Sequence, residues 1–151
     1  MAAGHVVQVV HGHWGKSTNN VSTTSGSFVP TGMSATITPT SSTSKILIGW
    51  SLQGNIYYAS SGAQGGQFQM YRDGVSLGVY GGHAASAAFV YANYTQSHTD
   101  TYFKVSDEKL ITANNTSATT FEIYYARYNS ATVNIHNHDG ESHITLMEIA
   151  Q

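Results

Sequence analysis

The sequence predicts an all-β protein, an antiparallel β-sandwich or barrel, and three observations predict it. Apolar residues recur with period two, the spacing of a half-buried strand. No window sustains apolar residues at i, i+3, i+4 and i+7, and β-branched and aromatic residues carry the apolar content. Turn-forming clusters fall about every 8 to 12 residues, as in sandwiches and barrels.

The first strand is expected over Val6–Val10, followed by short candidates at Ser27–Val29 and Ser34–Thr38. "TPTSSTSK" is a loop: Pro39 cannot donate to a ladder, and the hydroxyl run competes for backbone groups. "KILIGWSL" sets Ile46, Ile48, Trp50 and Leu52 on one face and Lys45, Leu47, Gly49 and Ser51 on the other. "YASSGAQGGQ" and "GVYGGHAASAA" are rich in small residues and are expected to be loops. Between them lie strands at Gln67–Arg72 and Val75–Tyr80, joined at Asp73-Gly74 by a two-residue turn that requires positive φ at both positions. Further strands are expected at Ala88–Tyr94, Thr101–Val105, within "TTFEIYYARY", at Thr132–His136, and within "SHITLMEIA", about eleven in all. No linker divides the chain, so residues 1–151 are expected to form one domain, of a size that buries ~70% of the surface of its unfolded chain.

Composition removes several classes of function. Charged residues make up 9% of the chain and the formal net charge is −2, so nothing steers it toward nucleic acid. No apolar run approaches the ~20 residues of a membrane helix, and membrane insertion is not expected. The N-terminal stretch lacks the basic region and cleavage pattern of a signal peptide and reads as mature sequence. Without cysteine there is neither a disulfide framework nor a thiolate metal site. Serine and threonine supply 35 residues, so neutral hydroxyls and amides cover the surface.

Eight histidines carry the strongest chemical signal. His11 and His13 stand at i and i+2, as do His136 and His138, a spacing that projects two imidazoles from one face of a strand and can chelate a metal. "HNHDGE" resembles the cupin metal motif, but too few residues separate its second histidine from the glutamate. Too little chain follows for the second cupin motif. The alternative is a polar hairpin with Asp139-Gly140 at its tip, His138 and Glu141 beside the turn, and His136 facing His143 across the ladder. Such a pair would gain charge as pH falls through about 6.5. The turn accounts for more of these residues, so no metal or other cofactor is expected.

Catalytic patterns are missing. No serine stands in a G-x-S-x-G elbow, "GAQGGQ" lacks the lysine and helix of a phosphate loop, and the eight carboxylates fall at turns or on polar faces, where solvated carboxylates are the rule. The protein is therefore not expected to be an enzyme. Ten tyrosines are expected first to pack on and between sheets. An exposed subset, with Trp14, Tyr57, Tyr58 and Tyr80 as candidates, would suit a protein interface or a glycan.

"VVQVV", "TSGSFVPTGMSATITPTSSTSKILI", "FQMYRDGVSLG" and "ITLMEIAQ" together resemble a small β-sandwich module of tailed bacteriophages, found as separate virion proteins or at fibre ends. The likeness runs from Val6 to Gln151 and is thin between Ala84 and Asp100. It implies a jelly roll that assembles as a homotrimer on the virion surface after synthesis in the host cytoplasm. There it would bind the major capsid protein or another virion protein as a decoration or cement protein. Alternatively it would recognise a host surface glycan as a tail-fibre or head-fibre tip. The first strand begins at residue 6 with no heptads ahead of it, which favours decoration over a stalked tip. Val7, Val9, Met147 and Ile149, on the first and last strands, are the expected interface residues. Histidines from three chains could also meet at a trimer axis.

Overall fold

The computed structural model describes residues 4–15, 20–58, 61–78, 88–94, 99–137 and 140–151. Eleven strands make up its regular structure: β1 (Val6–Trp14), β2 (Val21–Thr23), β3 (Val29–Ile37), β4 (Lys45–Tyr58), β5 (Gly62–Arg72), β6 (Val75–Ser76), β7 (Ala88–Tyr94), β8 (Thr99–Thr112), β9 (Thr119–Tyr128), β10 (Thr132–Ile135) and β11 (Ser142–Ile149). Among the described residues no helix is long and apolar enough to cross a membrane.

Two antiparallel sheets form. In the first, β4 pairs on one edge with β8 and on the other with β11 along Lys45–Ser51 and with β10 along Gly54–Tyr57. β1 pairs with β11 and β2 with β10. β10 and β11 are thus collinear pieces of one long strand, and so are β1 and β2 beside them. In the second sheet β9 lies between β3 and β5, and the far edge of β5 is shared by β7 and β6. With collinear pieces joined, eight long strands make two four-stranded layers, and nearly every connection crosses from one layer to the other. That is the jelly-roll arrangement.

The core follows from the alternation. Ile46, Ile48, Trp50 and Leu52 of β4 and Ile144 and Leu146 of β11 face Phe68 and Met70 of β5 and Phe121, Ile123 and Tyr125 of β9, all buried. Each large apolar side chain removed from water contributes roughly 1.5–3 kcal/mol. Phe68 joins the layers, its ring 5.4 Å from Phe103 and 6.4 Å from Trp50. Asp73 and Gly74, at φ 49° and 77°, make the expected tight turn, and Asp73 Oδ1 also accepts the Thr120 N–H.

Three expectations need correction. "HNHDGESH" is not a hairpin, because β10 and β11 do not pair with each other. Both run along the same edge of β4, with Leu52 and Gln53 between the two stretches of pairing, and Asp139 of the expected turn tip lies outside the described residues. "YASSGAQGGQ" is not a loop throughout: from Gly62 onward it is the start of β5, flanked by β9 and β7. The candidates Ser27–Val29 and Ser34–Thr38 are replaced by one strand, β3, from Val29 to Ile37, with a register irregularity between Pro30 and Ser34. Most of "GVYGGHAASAA" lies outside the described residues.

Candidate functional site

Since Ile46 through Leu52 face the core, the alternate residues of β4 face outward, and pairing extends them into rows across the first sheet. The first row is Val9, Met147, Leu47 and Leu110. The second is His11, Thr145, Gly49 and Glu108, and the third His13, His143, Ser51 and Ser106. Below them Gln53 lies beside Lys104, then Asn134, Asn55 and Tyr102 align, then Thr132, Tyr57 and Asp100. An apolar band, a histidine-bearing centre and an amide and tyrosine band therefore share one face.

Gly49 puts a hole in this face. No atom lies within 4 Å of where its Cβ would be, and around it opens a depression of about 500 Å³ bordered by Ser51, Ser106, Glu108, His143 and Thr145. His11 Nδ1 lies 2.9 Å from the Thr145 hydroxyl, and its ring centroid is 5.8 Å from that of His143. Burial, then His11 and Lys104, hold the His143 imidazole below the usual histidine range, and Glu141 opposes them.

Asn137 and Gly140, in the chain between β10 and β11, bond to the lower part of the face. Gln53 Nε2 donates to the Gly140 carbonyl, Asn137 Nδ2 to Asn55 Oδ1, and Asn55 Nδ2 to Asp100 Oδ1. His136, at φ 56°, is fully buried, its Nδ1 2.9 Å from Ser142 Oγ. Burial lowers its pKa to about 4, against an opposing contribution from the Thr31 backbone. It is a structural histidine, sealed from substrate.

Of the four histidines weighed as metal ligands, the three described do not come together. His11 and His13 are exposed on the outer face, His136 is interior, and His138 lies outside the described residues. Among the described residues no group of three or more potential ligands assembles.

Of the four residues expected at an interface, Val9 and Met147 are neighbours in the outward apolar row, and Ile149 pairs with Val6 in the row above it, beside Lys45. Val7 departs from this pattern. It sits at the register shift between Val6 and Gln8 and lines a separate hollow with Thr40, Ser41 and Ser44.

The glycan candidates are scattered. Tyr57 is exposed on the lower part of the face, whereas Tyr58, one residue on, points inward and is buried with Ile56 and Ala131, leaving no ring face for a ligand. Trp14 folds back over Gly12, where a Cβ would stand 2.7 Å from its ring, and packs against the core. Tyr80 lies outside the described residues. Tyr71 and Tyr124 stack across β5 and β9 with ring centroids 3.9 Å apart, the sheet-packing use expected for this residue.

Sequence reasoning missed Leu47, Leu110 and Tyr102, which complete the apolar and aromatic bands. The outward alternation of β4 was legible, but β8 was expected only as Thr101–Val105, and its partner across the sheet is set by topology. Glu148 was expected to be a solvated carboxylate. It is fully buried, Oε2 accepting from Gln8 Nε2 at 2.6 Å and Oε1 accepting from the Thr40 N–H and hydroxyl at 2.9 and 2.8 Å. Burial alone would raise its pKa, but the hydrogen bonds from Gln8, Ser44 and Thr40 hold it at about 2. Its role is to pin the 38–44 loop.

Comparison with known proteins agrees with this architecture. No protein-family model matches the chain, and no curated protein matches it by sequence. Among solved structures it is similar to the Eiger TNF of S. frugiperda, with a TM-score of 0.50 and 9% identity over 95% of this chain and 94% of that one. That likeness shows the fold, a jelly-roll β-sandwich. Weaker likenesses are found to the structure of infectious bursal disease virus Gt strain (TM-score 0.35, 12% identity) and to infectious bursal virus-derived T=1 particles (TM-score 0.36, 12% identity). Each covers 97% of this chain but 39% and 37% of the viral chains, so the chain spans under two fifths of their length.

Proposed function

We propose that the protein is a non-enzymatic component of a virion exterior: one jelly-roll domain over residues 1–151 that forms a homotrimer through the outer face of its first sheet and decorates or cements the capsid. The observation that carries this reading is where exposed apolar surface lies. Of the eight large hydrophobic residues exposed among the described ones, Val6, Val9, Tyr57, Tyr102 and Leu110 lie on the outer face of the first sheet; Val21, paired with buried Ile135, lies on its other face, and Val75 and Tyr91 belong to the second sheet. A concentration of apolar side chains on one face, mixed with neutral polar groups and few charges, is the composition of a protein contact. The resemblance of "TGMSATITPTSSTSKIL" and "ITLMEIAQ" to phage virion modules supports the setting.

Sedimentation equilibrium tests the assembly: a trimer is expected, with Val9→Asp and Leu110→Asp variants sedimenting as folded monomers. Co-sedimentation with capsids tests the partner, the major capsid protein or another virion protein. The fibre-tip reading draws support from a different observation, the exposed Tyr57 and Tyr102 beside exposed Asp100, a setting that suits a sugar ring. Binding to host cells or a glycan array without affinity for capsids would favour that reading.

A further inference from the structure

The outer face of the first sheet has different chemistry at its two edges. The β1 edge presents His11 and His13, with His143 beside them. The β8 edge presents Glu108 at the end of the His11 row, with Lys104 two rows below it and Asp107 also at the rim of the depression. His11 and Glu108 end the same row with Thr145 and Gly49 between them, so three inter-strand spacings, roughly 14 Å, separate the two side chains. An imidazole and a carboxylate that far apart cannot pair within one copy.

We propose that a second copy of this chain docks head to tail on this face, the β8 edge of one protomer meeting the β1 edge of the next, with Glu108 accepting from His11 or His13. This rests on the reading of the face as a self-contact and specifies its geometry. Complementary groups at opposite edges favour a heterologous contact over an isologous one. An isologous contact formed at one edge alone would leave the imidazoles of the β1 edge and the Glu108 carboxylate of the β8 edge far apart. A heterologous contact closes into a ring when its rotation divides the circle. Side-chain-free Gly49, one strand in from the β8 edge, lets the neighbouring protomer approach the sheet there, and the Val9, Met147, Leu47 and Leu110 row flanks the contact with apolar area. The apolar row supplies affinity, while the hydrogen-bonding groups at the edges supply register.

Because the chain contains no cysteine, engineered thiols report the contact without background. The full chain carrying both His11→Cys and Glu108→Cys is oxidised at neutral pH and resolved on denaturing gels beside each single variant. A covalent ladder that closes at trimer from the double variant alone is the expected result. Glu108→Arg should weaken association roughly tenfold, and His11→Asp in the same chain should restore it. Covalent dimers from a single-cysteine variant, or an assembly in solution that yields no covalent product from the double variant, would overturn the head-to-tail contact while leaving self-association intact. A chain that sediments as a monomer would overturn both.

Discussion

His136 Nδ1 lies 2.9 Å from Ser142 Oγ, and the same oxygen accepts the Gln53 N–H at 3.1 Å. With the His136 N–H donating to the Gln53 carbonyl at 3.0 Å, the two ends of the chain between β10 and β11 are fastened to a single residue of β4. The seam between β10 and β11 depends on a neutral, buried imidazole.

That dependence predicts acid sensitivity. The folded pKa of His136 is about 4 against an unfolded value near 6.5, so the unfolded chain binds the proton more readily and stability is lost as pH falls through that window. Between pH 7.5 and pH 5 the loss should be about 2 kcal/mol in urea titrations. His136→Asn, which tolerates the positive φ and does not titrate, should start less stable but lose markedly less over the same interval. An equal slope in the variant would assign the acid sensitivity elsewhere.

A second window lies lower. Glu148 is held at about 2, below its unfolded value of 4.5, so its contribution is complete above pH 4.5 and disappears as pH falls toward 2. Glu148→Gln turns an acceptor-only group into one with an amide aimed at donors from Gln8 and Thr40. It should cost about 2–3 kcal/mol at pH 7 and remove the lower of the two acid transitions. Hydrogen exchange at residues 38–44 should speed up in this variant, because the loop loses its anchor.

Much of this architecture could be read from period-two patterning. The core faces of β4, β9 and β11, the Asp73-Gly74 turn and the loop after Ile37 follow from local chemistry that the fold leaves in place. What could not be read depends on partners distant in sequence. "HNHDGESH" carries the local signals of a hairpin, and only the shared edge of β4 keeps its flanking strands from pairing with each other. Glu148 alternates as an ordinary polar position would, and its burial comes from Gln8 and Thr40, far away in the chain. The outer face was half legible: Val9 and Met147 stand out on terminal strands, whereas Leu47 and Leu110 become neighbours only through the β4–β8 pairing.

Gly54 and Gly49, five residues apart in β4, should respond oppositely to substitution. A Cβ at Gly54 would stand 2.1 Å from the Asn134 carbonyl oxygen and 2.9 Å from the Phe103 ring, so β10 would have to move. Gly54→Ala should destabilise the fold by about 1–3 kcal/mol, or more if β10 detaches, measurable as a lower midpoint in thermal denaturation.

Gly49→Phe should leave the fold intact, because the new side chain points into open space on the outer face, and aromatic residues suit strands better than glycine does. Its thermal midpoint at concentrations where the chain is monomeric should match or exceed that of the parent. If the depression admits a neighbouring protomer, the ring fills the space that protomer needs, and sedimentation should show association weakened at least roughly tenfold with unchanged circular dichroism. A Gly49→Phe chain that assembles as well as the parent would place the self-contact on some other face. Gly54→Ala serves as the counterpart, since it should lower stability in monomer and assembly alike.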